Sequence, residues 1–248
     1  MNQCTTRPPP AQYKVKNKNP LPKGHFSVLL HESKRYIGQS RYLNEEQNIS
    51  RHEASICFYP ENQVDEEERQ VIGKIEYTLI NRSRIYNAKD GDTIDNFWMS
   101  CDAISQELER MCSTLFNEDG DVRNPALEEY IGTGDIVYLD SIELDVKWRG
   151  YGIGLLALDG LIGMLPSFEM DSIIVHPAGL TSEAHRNQLK ATGIPPAVEF
   201  AATQAKLIAY YRLLGMVEWT PRNADYKLLG MWTGLRLPRI EQIVPHLF

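Results

Sequence analysis

Residues 135–164, "DIVYLDSIELDVKWRGYGIGLLALDGLIGM", constrain the fold more than any other stretch. A strand-like run over 135–146 leads without a linker into Gly150, Gly152 and Gly154, and these open a segment that is apolar nearly all round. A short helix with no polar face has to be buried, so this one is expected to lie against a sheet that contains the preceding strand. Strand, glycine turn and buried helix together call for an α/β architecture.

Upstream, "HFSVLLHES" (25–33), "ASICFYP" (54–60) and "QVIGKIEYTLI" (70–80) have strand composition and predict antiparallel sheet in the first third of the chain. From Phe97, the residues Trp98, Cys101, Ile104, Leu108, Met111, Cys112 and Leu115 recur at the helical period and predict one amphipathic helix, with a shorter one over 124–132. Beyond the turn, 171–180 reads as a buried strand and 181–196 as an insertion. Pro195 and Pro196 then open a helix that runs to a glycine cap at Gly215. "MVEW" and "YKLLGMW" supply two last short strands. The expected organisation is a single domain over 24–248 behind an arm, residues 1–23, that carries five prolines, Arg7, four lysines and no acid. Such an arm is either a flexible tail or a basic segment docked on the acidic body.

The formal net charge of -7 is the wrong sign for a protein that neutralises phosphates along a duplex, which argues against nucleic acid as a partner. Cys4, Cys57, Cys101 and Cys112 form no CxxC pair and no zinc-like spacing with histidine, so reduced thiols and no metal are expected. No segment approaches the ~18 consecutive apolar residues of a membrane span. A soluble intracellular protein is the expectation, cytoplasmic with the nucleus left open.

A glycine-rich turn between a strand and a helix is the usual cradle for phosphate, because glycines let backbone amides approach an anion at the helix N-terminus. A tight turn that needs glycine only for its backbone angles has the same composition. No Gly-Lys-Ser/Thr ends the run, which rules out the Walker loop. Gly152, Gly154 and Ala157 match the Rossmann spacing, but His176 stands where an acid should hold a ribose, and too few strands follow for a doubly wound sheet.

Arg149, Gly152 and Gly154 also spell R-x-x-G-x-G. With "SIELDVKW" before it and "LLALDGLI" after it, the segment resembles the acyl-CoA-binding motif of the GNAT acetyltransferases. "AYYRLLGMVEW" resembles the same family's Y-x-x-x-G-F junction, with Tyr211 and Gly215 in register and Met216 in place of phenylalanine. The two motifs cover roughly residues 135–230. Gln204 departs from the Asn that family members often carry, and Leu207 from a small residue.

The resemblance implies a twisted, mostly antiparallel central sheet flanked by helices and splayed between its two central strands. It implies acetyl-CoA as cosubstrate, held by the backbone from Arg149 through Gly150, Tyr151, Gly152 and Ile153 to Gly154, with the polar backbone of Leu144 and Val146 pairing the pantetheine arm. The implied reaction is direct attack of a primary amine in a ternary complex, with Tyr211 protonating the departing thiolate; a core aromatic is the alternative for Tyr211. An alkylamine of pKa ~10.4 also needs a base. Asp140, Glu143 and Asp145 lie on the preceding strand, where simple alternation sets Asp140 with Ile142 and Leu144, and Glu143 with Asp145. The strand bulge that the resemblance implies would break this parity. Glu143 and Asp140 are the leading candidates, and His176 is either another or a structural histidine. The partners expected are a CoA thioester and an amine acceptor built around loops 34–53, 81–96 and 181–196, with a homodimer left open. A non-catalytic acyl-CoA-binding module and a Rossmann-type enzyme are the competing classes.

Overall fold

The computed structural model describes residues 14, 16, 19–30, 49–61, 69–88, 91–132, 134–165, 170–178, 196–220, 226–232 and 239–247. Strands are β1 (Gly24–Leu30), β2 (Ile49–Pro60), β3 (Gln70–Ile80), β4 (Asp135–Leu144), β5 (Met170–Val175), β6 (Val217–Glu218) and β7 (Leu229–Trp232). Helices are α1 (Arg82–Ala88), α2 (Gly91–Ile104), α3 (Gln106–Leu115), α4 (Pro125–Ile131), α5 (Ile153–Met164), α6 (Pro196–Tyr211) and α7 (Ile240–Ile243).

The strands form one seven-stranded sheet in the order β1-β2-β3-β4-β5-β7-β6. Every neighbouring pair is antiparallel except β4 and β5, which run parallel. A mixed α/β fold with a mostly antiparallel sheet is therefore present, and the doubly wound parallel alternative is excluded. Parallel neighbours need a crossover, and α5 supplies it.

Period-two alternation along β4 feeds two cores, one on each face of the sheet. Val137 and Leu139 join Leu155, Leu158 and Leu161 of α5. Ile136 and Tyr138 join Phe97, Cys101, Leu108, Met111 and Leu115 of the α2–α3 pair. The nearly featureless α5 is thus buried along most of its length, with Ile153, Leu155, Ala157, Leu158 and Leu161 inside.

Two expectations change. The period running from Phe97 to Leu115 is not one helix: it breaks at Ser105, whose hydroxyl caps α3 by accepting from the Leu108 amide at 3.1 Å. The apolar spacing carries across the break because both helices face the same core, where the Cys101 and Cys112 sulfurs meet at 3.3 Å. Residues 81–96, expected as an acceptor loop, are mostly α1 and the start of α2, and 49–53 belong to β2. Residues 34–48 and 181–195, also expected to shape the acceptor site, lie outside the described residues, as does most of the arm.

Candidate active site

Past Leu144 the Asp145 amide still donates to Ile72 O at 2.9 Å, and the chain then coils through a 3-10 turn at Val146–Trp148. Trp148 anchors that turn. Its buried ring packs against Phe58 at 4.7 Å and edge-on to Phe26 at 5.9 Å, tying the turn to β1 and β2. Gly150 and Gly152 then take φ of +85° and +89°, left-handed backbone that glycine adopts without a Cβ penalty.

The carbonyls of this turn are occupied. Gly150 O accepts from the Lys16 amide at 2.8 Å, and Gly152 O accepts from the amides of Leu155 and Leu156 at 2.9 and 3.3 Å. Tyr151 O accepts from His246 Nε2, which must be the donor because a carbonyl only accepts. Gly152 is the N-cap of α5 and has no side chain to cap it. Among the described residues nothing accepts from the amides of Gly152, Ile153 and Gly154, the first-turn donors that a helix cannot satisfy itself. A turn with these carbonyls occupied and its amides without an acceptor among the described residues, at a helix N-terminus, has the polarity of an anion nest.

Beside it the sheet parts. The last β4–β5 partners are Leu139 and Val175, although β4 continues to Leu144 along β3. Since Asp145 directs its amide to β3, alternation turns the backbone groups of Ile142 and Leu144 to the opened side. Of these, Leu144 O is taken by Arg149 Nε at 2.7 Å. Val146 does not extend the strand as expected: it sits in the 3-10 turn, 78% exposed, with its carbonyl holding the Arg149 amide. Ile142, which the sequence did not single out, has its backbone groups on the opened side.

The bulge falls on Asp140. Glu76 pairs with Ser141 and Tyr77 with Leu139, leaving Asp140 as the extra residue directly past the fork. Simple parity is thereby corrected: Ser141 bonds Glu76 and Glu143 faces Lys74 on the side where Asp140 meets Thr78, while Ile142 and Leu144 pack in the α5-side core. Thr78 Oγ1 donates to Asp140 Oδ2 at 2.8 Å. Burial holds the Asp140 carboxyl above the usual carboxylate range, against the Thr78 hydrogen bond and the Arg51 charge. Glu76 shifts the other way, held low first by the hydrogen bond from Lys74 at 2.8 Å.

His176 is the first residue past β5 at the same fork. Its Nδ1 lies 2.7 Å from Lys227 O and its ring stacks on Tyr226 at 4.3 Å. The carbonyl fixes Nδ1 as a donor, so the neutral ring carries its lone pair on Nε2.

The two tyrosines of α6 diverge. Tyr211 is 7% exposed in the α5-side core, and burial pushes its phenol up to about 12. Tyr210 reaches the turn: a methyl placed on Gly154 would lie 2.7 Å from the Tyr210 hydroxyl and 3.7 Å from Ile142 Cγ2. Turn, opened strand and α6 meet at Gly154. Gln204, seven residues before Tyr211 and on the same helix face, has a buried Nε2 with no hydrogen-bond partner among the described residues.

No family model matches the chain, and no curated protein matches it in sequence. Among solved structures it is similar to SsHAT, with 13% identity and a TM-score of 0.35 over 74% of this chain and 73% of that one. It is also similar to Arabidopsis thaliana NAA60 in complex with acetyl-CoA, with 11% identity and a TM-score of 0.31 over 75% of this chain and 76% of that one. At such scores and identities, function has to be argued from the chain's own residues. Among the described residues no group of three or more His, Cys, Asp or Glu could hold a metal, and no helix is long and apolar enough to cross a membrane.

Proposed function

We propose that this chain is a GNAT-type N-acetyltransferase that moves an acetyl group from acetyl-CoA to a primary amine. The observation that carries the reading is the amide nest at the head of α5, placed where β4 leaves β5. A pyrophosphate suits the nest, because its charge meets unclaimed amides and the positive end of a helix dipole. The opened backbone of Ile142 and the amide of Leu144 suit an extended amide-bearing arm, which would pair with them as an added strand does. Buried Gln204 Nε2 is a further donor with no hydrogen-bond partner among the described residues.

The thioester supplies an activated acyl carbon, and the residues of the chain manage protons around it. Asp140 is the proposed base: it sits at the fork and burial raises its proton affinity, which suits it to take a proton from an ammonium directly or through water. Glu143, on the same side of the strand, is the second carboxylate. Tyr211 is the proposed acid, since a phenol near 12 keeps its proton at any working pH. Tyr210 is assigned to binding, at the junction of turn and strand.

A thermal-shift titration with acetyl-CoA, CoA and NAD tests the reading. Saturation at a hundredfold over Kd stabilises by about 2.7 kcal/mol, roughly 5–10 °C for a chain of this size. Acetyl-CoA and CoA should give that rise, NAD should not, and a panel of primary amines should release CoA thiol. No shift with either CoA species overturns the proposal; a shift without thiol release for any amine reduces it to an acyl-CoA-binding module.

A further inference from the structure

We infer that the N-terminal arm is part of the nucleotide end of this site, with Lys14 and Lys16 meeting phosphate groups of CoA. The inference rests on the CoA reading of the turn. The described part of the arm is laid on the turn itself. The Lys16 amide donates to Gly150 O at 2.8 Å, Tyr151 Oη donates to Asn19 O at 2.8 Å, and Leu21 packs against the α5-side core. Lys16, Asn19 and Leu21 thus attach the arm to Gly150, Tyr151 and the adjoining core. The arm uses up carbonyl and hydroxyl groups of the turn and leaves the amides of Gly152, Ile153 and Gly154 alone.

Charge explains why such a segment should be basic. CoA is a polyanion and the chain has a formal net charge of -7, so the mean field around the protein opposes its approach. Residues 1–23 hold five cations and no acid. Lys14 and Lys16 are exposed, the Lys16 amide is bonded to Gly150, and the same turn carries two more exposed cations, Lys147 and Arg149. An extended lysine side chain spans ~6 Å, a little more than one helical turn, which puts the nest within reach of a lysine whose amide is bonded to Gly150. Lys147 and Arg149 on the turn, and Lys16 bonded to it through its amide, are therefore exposed cations where the CoA reading puts phosphate. The 3′-phosphate and the pyrophosphate offer the lysines the same chemistry, and only one of them is absent from dephospho-CoA.

The test is isothermal titration of CoA and dephospho-CoA into the full chain, into K14Q/K16Q and into the charge-conserving K14R/K16R. Both positions are exposed, so unchanged melting temperatures are expected and checked first. K14Q/K16Q should bind CoA about tenfold more weakly with a shallower salt dependence, and K14R/K16R should bind like the parent. If the loss appears with CoA alone, the lysines meet the 3′-phosphate; if dephospho-CoA shows it too, they meet the pyrophosphate. Affinity within about twofold of the parent for both ligands overturns the arm's role and leaves the turn reading standing. If the unmutated chain binds neither ligand, the turn reading falls and takes the arm with it.

Discussion

Gly154→Ala and Tyr210→Phe, made singly and together, test whether α6 meets the glycine turn as described. Gly154 has ordinary helical backbone, so the only obstacle to alanine is space, and the nearest atom to an added methyl is the Tyr210 hydroxyl oxygen at 2.7 Å. Real Cβ atoms do not come that close, so the tyrosine must swing away. Moving it off its rotamer costs about 0.5–1.5 kcal/mol, and losing the packing and polar contacts of its hydroxyl costs about 1 kcal/mol more. Once the hydroxyl is gone, the next neighbours are Ile142 Cγ2 at 3.7 Å and the ring Cζ at 3.8 Å, both ordinary contacts. Alanine is then free to express its helix preference over glycine, ~1 kcal/mol. Gly154→Ala should therefore be destabilising by about 0.5–1.5 kcal/mol with Tyr210 present and stabilising by about 1 kcal/mol with Phe there, a coupling of about 1.5–2.5 kcal/mol. Urea unfolding of the four proteins measures it. Single-mutant effects that add to within about 0.5 kcal/mol would refute the contact. Both alanine variants should also bind CoA more weakly, since the methyl stands among the nest amides.

Asp140→Asn should abolish most amine acetylation while raising the melting temperature at pH 7. Burial raises the folded pKa, so the folded state holds the Asp140 proton more tightly than the unfolded chain does; that stabilisation is full below ~3.9 and is lost as pH rises through the folded value. The ionised carboxylate is thus a burden at pH 7 that Asn relieves, and the gain in melting temperature should vanish near pH 3. Tyr211→Phe should lower kcat about 10- to 100-fold with little change in KM for acetyl-CoA, whereas Tyr210→Phe should raise that KM; equal kcat in parent and Tyr211→Phe would make Tyr211 a core aromatic. Gly152→Ala places a Cβ at φ +89°, so chemical denaturation should show a loss of about 1–2 kcal/mol together with weaker CoA binding.

What could be read from the sequence follows from the range of the forces involved. The strand over 70–80 appears with those bounds, and the turn and α5 were legible, because alternation, glycine and an all-apolar run are local signals. The break at Ser105 was hidden because Ile104 and Leu108 keep helical spacing across it. Whether Tyr210 or Tyr211 faces the turn depends on how α6 is rotated against α5, which packing decides and spacing does not. Docking of the arm joins Asn19 to Tyr151 across most of the chain and has no local signature at all. The cofactor half of the candidate site was visible because it is made of backbone and marked by glycine. The side chains proposed to handle protons come from β3, β4 and the end of β5, which only the sheet register brings together.

That register also separates the carboxylates at the fork. Strand alternation sets Asp140 and Glu143 on opposite faces and an unplaced bulge leaves them nearly level, while Glu76 on the neighbouring strand does not enter. Glu76 is pinned as an anion by Lys74 at 2.8 Å and approached by Arg51 at 4.0 Å, so it has little reason to take up a proton. Its charge acts on Asp140 and adds to the burial that raises it, while Glu143 and Glu53 act on Lys74 and strengthen the pin. Two neighbouring carboxyl groups are thereby driven in opposite directions, one fixed as a counter-ion and one poised to accept a proton, the arrangement by which a fold assigns distinct roles to like groups. The bulge completes the assignment. By leaving Asp140 outside the β3–β4 pairing just beyond Leu139 and Val175, it sets the poised carboxylate at the mouth of the opening rather than along the closed part of the sheet. A glutamate three residues further on has neither the bulge nor the fork, and for that reason Asp140 is the residue on which the proposed proton transfer should depend.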